Sequence, residues 1–247
     1  PGANSSGFYA LLALGGALGG SAVSLLAPLL FSDFYELELA SVGVFLLLLP
    51  LLRRRLGAAA LPRPLRLLLM LGAGLCLPLL LGEALVRRQA SGHSGRVVER
   101  RRGFLGPLKV VDVTEGRVLT HGRIQHGMQL RAERRTPTMY FGAGTAVARV
   151  LDVASGARPR RLGVVGLGVG TLASYARNGD KLRFYELDRN VIELARRDFT
   201  FLGDSAGSVT IVEGDGRLAL AREGPQAFDV LVLDAFTSDA VPVHLLT

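Results

Sequence analysis

The chain has 247 residues, a formal net charge of +8 at pH 7 and a single cysteine, Cys76, which excludes an intrachain disulfide. Its arginines cluster beside apolar runs, at 53–66 and 87–102, and no basic surface is interleaved with aromatic residues. This placement favours anionic membrane headgroups over nucleic acid as the partner of the positive charge.

The N-terminal part contains three uncharged runs. Residues 8–31 carry no charge over 24 positions, and at about 1.5 Å per residue such a helix spans a hydrocarbon core of about 30 Å. Residues 39–52 and 67–82 are also uncharged, but each is shorter than the roughly 20 residues of a perpendicular span. We therefore predict two or three transmembrane helices within residues 1–86, as the end of a longer membrane domain, with the arginines at 53–55 as a topology anchor.

Residues 108–130 change to short β-rich runs. The sequence LKVVDVTEGRVLTHGRIQHGMQL contains three extended runs, broken at an EG pair and an HG pair, as in a small antiparallel β unit. We predict a separate antiparallel β subdomain at residues 96–135.

Three histidines stand near candidate turns. His121 and His126 are five residues apart with no cysteine or carboxylate at ligand spacing, so we expect turn or substrate-contact roles and no metal site. His244, near the end of VPVHLL, either faces a substrate or caps the last ordered turn.

After Pro159, strands and helices alternate. The predicted strands are LGVVG, LRFYELD, VTIVEGDG and FDVLVLDAF, and the helices between them are TLASYARNG, RNVIELARRDF and RLALARE. Such alternation indicates parallel pairing through right-handed crossovers, and therefore an α/β fold with a Rossmann-like, doubly wound sheet. Because only four strands are present, we expect this domain, at residues 136–247, to be incomplete at its C-terminus.

A glycine-rich turn follows the first of these strands. Gly166, Gly168 and Gly170 form G-x-G-x-G, and Thr171 stands where a dinucleotide fingerprint needs its third glycine. The spacing favours an uncharged adenosyl group lying across the backbone over a pyrophosphate at a helix N-terminus. A plain strand-to-helix turn is the alternative interpretation.

Three carboxylates stand at the C-terminal ends of predicted strands, where open α/β sheets bind ligands. Glu186 lies 18 residues after the second glycine of the turn, placed to accept hydrogen bonds from both ribose hydroxyls. Asp215 is placed to accept a hydrogen bond from an adenine amino group, and Asp234 is placed near the reacting end of the ligand. For Asp188 and Asp239 we expect helix caps or solvated loop positions. Together with the glycines, the three carboxylates predict a site for an adenosyl sulfonium.

The stretches VVGLGVGTLA, FYELD, VEGDGR and VLVLDAFTSDAVPVHLLT resemble the spermidine synthase (polyamine aminopropyltransferase) family, and THGRIQHGMQ and PTMYFGAG resemble its membrane-fused bacterial branch. The resemblance runs from about residue 103 to the end. It implies a β subdomain, a methyltransferase-type Rossmann domain and a homodimer. It also implies decarboxylated S-adenosylmethionine as the donor, methylthioadenosine as the product, and no metal.

The resemblance further implies roles for individual residues. Glu186 would hold the ribose and Asp215 the adenine. Asp234 would be the catalytic carboxylate that orients and deprotonates the incoming amine. Gln125 would lie near the donor, with Gln129 as the competing choice.

Two positions depart from the family pattern. Soluble spermidine synthases carry an aspartate, which contacts the donor's amine, where this chain has Val169, and their Tyr-x-Glu motif reads Tyr140, Phe141, Gly142 here. Tyr140 remains a candidate substrate-binding residue. Four functions stay open: aminopropyl transfer, an S-adenosylmethionine lyase that gives methylthioadenosine and homoserine lactone, methyl transfer, and a nucleoside sensor without turnover. Asp234 distinguishes the three enzymatic functions from the sensor, because binding a nucleoside without turnover does not require this carboxylate.

These patterns together predict an integral protein of the inner or plasma membrane. We expect its catalytic half in the cytoplasm, because adenosyl donors are made there. The expected partners are membrane lipid, a small-molecule amine and a second copy of the chain, and no nucleic acid.

Overall fold

The computed structural model describes residues 5–58, 95–122, 124–154, 158–235 and 242–246, and the shorter stretches 62–65, 68, 71–72, 79, 82–83 and 156. The chain divides into two compact units, Pro1–His93 and Ser94–Thr247.

The first unit is helical over most of its described length. Helix α1, Ser5–Leu30, includes a π-helical turn at Ala22–Leu26, and helix α2, Glu36–Ala58, contains Pro50. Among the described helices, α1 is the one that is long and apolar enough to cross a membrane. Signal sequences and core helices of soluble proteins can share this length and composition.

Within the described residues, the structure therefore supports one candidate span, where the sequence predicts two or three over residues 1–86. The run at 39–52 lies within α2, whose apolar stretch is bounded by Glu36 and Glu38 at one end and by Arg55 near the other. These charges leave an apolar stretch shorter than the roughly 20 residues of a perpendicular span. The run at 67–82 falls mostly outside the described residues.

The second unit begins with a four-stranded antiparallel sheet in the order β1-β2-β3-β4. Its strands are β1 (Arg96–Gly103), β2 (Gly106–Asp112), β3 (Gly116–His121) and β4 (Ile124–Leu130). The turns fall at the EG and HG pairs, as predicted. The sequence does not predict β1, because this edge strand is rich in arginine and lacks the apolar alternation of a half-buried strand.

Helix α3 (Ala146–Val153) leads into a second, parallel sheet. Its strands are β5 (Arg161–Val165), β6 (Lys181–Glu186), β7 (Ser208–Glu213) and β8 (Val230–Leu233), in the order β7-β6-β5-β8. Helix α4 (Arg189–Asp198) connects β6 to β7, and helix α5 (Gly216–Arg222) connects β7 to β8. The predicted α/β class is confirmed, and the strand order is that of Rossmann-like folds.

This order places a switch point at the centre of the parallel sheet. The chain moves outward from β5 through β6 to β7 and then returns to pair β8 with the other side of β5. Ligands of open α/β sheets bind at such a point, beyond the C-terminal ends of the strands. The glycine turn follows β5, and Asp234 follows β8.

The prediction of a helix for TLASYARNG is wrong, because the segment forms only a 3-10 turn at Thr171–Tyr175. Asp180 accepts a hydrogen bond from the Arg177 N–H at 2.9 Å, and this bond turns the chain into β6 soon after the 3-10 turn ends. Asp180 also pairs with Arg160, and both side chains are buried.

Candidate functional site

A cavity of about 370 Å³ lies at the switch point, between the C-terminal edge of the parallel sheet and the antiparallel sheet. Its size falls within the range of about 300–1,000 Å³ that is common for small-molecule sites. Its wall brings together the three predicted carboxylates, two glycines of the turn and Tyr140, namely Glu186, Asp215, Asp234, Gly166, Gly168 and Tyr140.

The glycine turn brings three segments close together. Gly166 and Gly168 have φ values of +99° and +54°, which L side chains rarely adopt. A Cβ atom on Gly166 would lie 2.4 Å from the Asp234 carbonyl oxygen, and one on Gly168 would lie 2.9 Å from that of His126. The structure does not bring Gly170 to the cavity wall, because it packs against Leu202, 2.8 Å from a Cβ atom at that position.

A hydrogen bond to Glu186 links the end of β6 to the glycine turn. Its Oε2 accepts a hydrogen bond from the Leu167 N–H at 2.9 Å, and its Oε1 accepts one from the Asp188 N–H at 2.8 Å. Burial raises the pKa of the Glu186 carboxyl above its ordinary value. Glu186 also lines the cavity, where a carboxylate can accept hydrogen bonds from a ligand.

Asp215 caps helix α5 and lies in the cavity wall. Its Oδ1 accepts a hydrogen bond from the Leu218 N–H at 2.8 Å, and its Oδ2 lies 3.1 Å from Nε2 of His244. The bond from Leu218, and then that from His244, lower the pKa of Asp215. His244 therefore faces the cavity. Asp188 is a helix cap as expected, since its Oδ1 accepts from the Asn190 N–H at 2.8 Å.

Asp234 is a half-buried carboxylate in the cavity wall. Its backbone N–H donates to the Val165 carbonyl at 2.8 Å, which holds the residue at the end of β8. Burial, followed by the negative charge of Glu186, raises the pKa of Asp234 to about 7. Tyr140 lies close enough to interact electrostatically, and burial and then the charge of Asp234 raise the pKa of its hydroxyl.

A β-bulge selects which residue of β4 reaches the cavity. Leu119 pairs with Gly127 and Thr120 with Gln125, so His126 is the extra residue. Bulges re-aim side chains and are common beside active sites. His126 accordingly lines the cavity, together with His121.

The structure brings neither predicted glutamine to the cavity wall. Gln125 stands beside the bulged residue, whose side chain takes the place at the wall. Gln129 instead links β4 to the loop that follows helix α4, because its amide donates to Thr200 Oγ1 at 2.9 Å and accepts from the Thr200 N–H at 3.0 Å. It also donates to the Arg134 carbonyl at 2.9 Å, so its hydrogen-bonding groups are used within the fold.

The positions that depart from the family pattern also lie away from the cavity wall. Val169 is only 1% exposed, and a Cβ atom on Gly127 would lie 2.4 Å from its Cγ2. Gly142, at the glutamate position of the Tyr-x-Glu motif, is likewise absent from the wall, and the Met139 carbonyl oxygen lies 3.3 Å from where its Cβ atom would be. Within the described residues, no group of three or more His, Cys, Asp or Glu side chains is arranged to hold a metal ion.

The fold is that of an α/β protein of the Rossmann-like kind, with a cavity at the switch point of its parallel sheet. No family model matches the chain. Over 95 residues the chain is 30% identical to the polyamine aminopropyltransferase of Vibrio vulnificus (strain CMCP6). The match covers 36% of this chain and 31% of that relative, so it spans about a third of the relative's length. At this identity and coverage, the match suggests a relation to spermidine synthase-like transferases.

Proposed function

We propose that the chain belongs to a spermidine synthase-like aminopropyltransferase that uses decarboxylated S-adenosylmethionine and releases methylthioadenosine. The observation that carries the proposal is the meeting of Glu186, Asp215 and Asp234 with the glycine turn in one cavity. The similarity to a polyamine aminopropyltransferase supports the same reaction class.

The nucleoside of the donor fits the carboxylate-rich wall. Gly166 and Gly168 leave no side chain between the ligand and the backbone of the turn. Glu186 accepts hydrogen bonds from the ribose hydroxyls. Asp215 accepts one from the adenine amino group while it caps α5.

Asp234 supplies the proton transfer that the reaction needs. An ammonium must lose a proton before its nitrogen can attack, and Asp234 takes that proton. The nitrogen then forms a bond to the carbon beside the sulfonium, and the carbon–sulfur bond breaks with its electron pair left on sulfur. The sulfonium is already a good leaving group, so the protein contributes mainly the alignment of the two reactants. Tyr140 helps to orient the amine beside Asp234.

The proposal extends to the membrane-fused branch of the family. Ser5–Leu30 anchors the chain in the membrane. The catalytic half lies in the cytoplasm, where its donor is made, and two copies of the chain associate. Residues 1–86, 96–135 and 136–247 then act as membrane, β and donor-binding domains.

A lyase acting on intact S-adenosylmethionine is the second candidate. It is favoured by the buried position of Val169, which leaves the cavity without the anionic group that soluble relatives of the family carry there. The carboxylate of the substrate would attack its own chain carbon, form homoserine lactone and release methylthioadenosine, with no proton transfer to Asp234.

Product identity distinguishes these functions. The full chain is incubated with decarboxylated or intact S-adenosylmethionine, with and without a set of mono- and diamines, and the products are separated by chromatography. Amine-dependent release of methylthioadenosine from the decarboxylated donor is the expected result. Amine-independent release from the intact compound would establish the lyase, and S-adenosylhomocysteine would establish a methyltransferase. Binding without any product would leave a sensor and overturn the enzymatic proposal.

A further inference from the structure

His126 lies in the cavity wall with an imidazole that no described residue hydrogen-bonds. His121, which lies beside His126, does have a hydrogen-bond partner, because its Nε2 lies 2.7 Å from the Leu105 carbonyl oxygen. The two rings are 5.4 Å apart. His126 therefore has ring nitrogens available to a ligand, whereas one nitrogen of His121 is already occupied.

The position of His126 in the cavity brings it close to the transferred chain of the donor. Strand β5 lies between β6 and β8, so the glycine turn after β5 lies between Glu186 and Asp234. The sulfonium, which joins the ribose to the reacting carbon, and the transferred chain that follows this carbon must therefore lie over the turn. The carbonyl of His126 abuts the turn at Gly168, which places His126 across from that chain.

The glycine turn itself offers no charged partner for an amine on this chain. Val169 points away from the cavity and packs against Gly127, the residue that follows His126. Since Glu186 and Asp234 have the ribose and the incoming amine as their proposed partners, the facing strand is the remaining source of an acceptor for the ammonium group at the end of the donor's chain. Because β4 bulges at His126, the imidazole is the polar group that the strand presents there.

We propose that His126 contacts the transferred chain of the S-adenosyl donor and accepts a hydrogen bond from its ammonium group through a ring nitrogen. The inference rests on the proposed function. It holds for both the decarboxylated and the intact donor, because both carry this ammonium. Burial, followed by the charge of His121, lowers the pKa of His126 to about 4, so the imidazole is uncharged at neutral pH and does not repel the ligand.

Three ligands separate contact with the chain from contact with the nucleoside. Calorimetric titration of the full chain is carried out with decarboxylated S-adenosylmethionine, with S-adenosylmethionine and with methylthioadenosine, which lacks the amine-bearing chain. His126→Phe keeps an aromatic ring but removes both nitrogens, and His126→Gln keeps an acceptor. Ile124→Ala changes an exposed side chain of the same strand and serves as the control.

In His126→Phe we expect the affinity for both donors to fall about 10- to 100-fold, as for loss of a hydrogen bond to a charged group. The affinity for methylthioadenosine is expected to change less than about twofold, because it makes no such bond. His126→Gln restores most of the donor affinity, and Ile124→Ala matches the unmodified chain. Equal donor affinities in His126→Phe and the unmodified chain would overturn this inference alone. Failure of the unmodified chain to bind methylthioadenosine would overturn the proposed function and the inference with it.

Discussion

The backbone of Asp234 lies directly against Gly166, where a Cβ atom would come within 2.4 Å of the Asp234 carbonyl oxygen. The contact joins the ends of two neighbouring parallel strands and determines where the Asp234 carboxylate enters the cavity. The glycine at this position is required both by its φ of +99° and by the neighbouring backbone.

Gly166→Ala is therefore expected to destabilise the fold and to lower turnover. Strain at positive φ and the backbone clash together cost about 2–4 kcal/mol in the free energy of unfolding, measured by urea denaturation. Gly144→Ala is the matched control, because Gly144 has a φ of +85° but no neighbouring atom within 4 Å of the added Cβ. If the two variants lose the same stability, the clash with Asp234 contributes nothing.

Asp234→Asn is expected to abolish turnover while the donor affinity is largely retained. The amide has nearly the same shape as the carboxylate but cannot accept the proton of the incoming ammonium. Release of methylthioadenosine and calorimetric binding of the donor are compared in the variant and the unmodified chain. A parallel loss of both would move Asp234 from proton transfer to donor binding.

The pH dependence of the reaction is expected to follow the Asp234 carboxyl. Only the ionised form accepts a proton, so kcat/KM rises with pH and levels off above about 7, the pKa to which burial raises this group. A flat profile between pH 5 and 8 would contradict this role.

The free energy of unfolding is expected to fall as the pH rises, in contrast to kcat/KM. Because the pKa of Asp234 is raised on folding from 3.8 to about 7, the folded chain binds this proton more tightly than the unfolded chain. The resulting contribution to stability is fully present below pH 3.8 and is lost as the pH rises through about 7. Asp234→Asn lacks this contribution, so the difference in melting temperature between variant and unmodified chain changes over this pH range.

The ion pair of Arg160 and Asp180 is expected to dominate the stability of the crossover between β5 and β6. Their side chains are 3% and 1% exposed, and Asp180 also accepts the N–H groups of Arg160 and Arg177. Asp180→Ala leaves a buried guanidinium without its charge partner and costs about 3–5 kcal/mol in urea denaturation. Arg158→Gln, at a solvent-exposed pair, is the control and is expected to leave stability unchanged.

The contact between Gly127 and Val169 is expected to show coupling in a double-mutant cycle. A Cβ atom on Gly127 would lie 2.4 Å from Val169 Cγ2, so Gly127→Ala overpacks the contact and costs about 1–3 kcal/mol. Val169→Ala removes both methyl groups and provides the space. The double variant should lose less stability than the sum of the two single variants, and additive losses would show that the contact is not direct.

The sequence predicts the parallel sheet and the residues at the C-terminal ends of its strands well, because these depend on local pattern. Apolar runs that end in Glu186 and Asp234 predict strands whose C-terminal ends meet at one edge, and the structure places both residues in one cavity. Asp188 is recognised as a cap from its position alone. The turns of the antiparallel sheet follow from their glycine pairs for the same reason.

What the sequence by itself determined about this chain is the α/β class, the apolar N-terminal helix and the strand ends that carry the carboxylates, since each follows from residues close together along the chain. Only the tertiary structure decided that His126 and not Gln125 faces the cavity, that Gln129 binds the loop after α4 and that Val169 packs against Gly127. A one-residue bulge exchanges the faces of a strand, and contacts between distant segments depend on packing. Neither the bulge nor these distant contacts can be predicted from the local periodicity of the sequence.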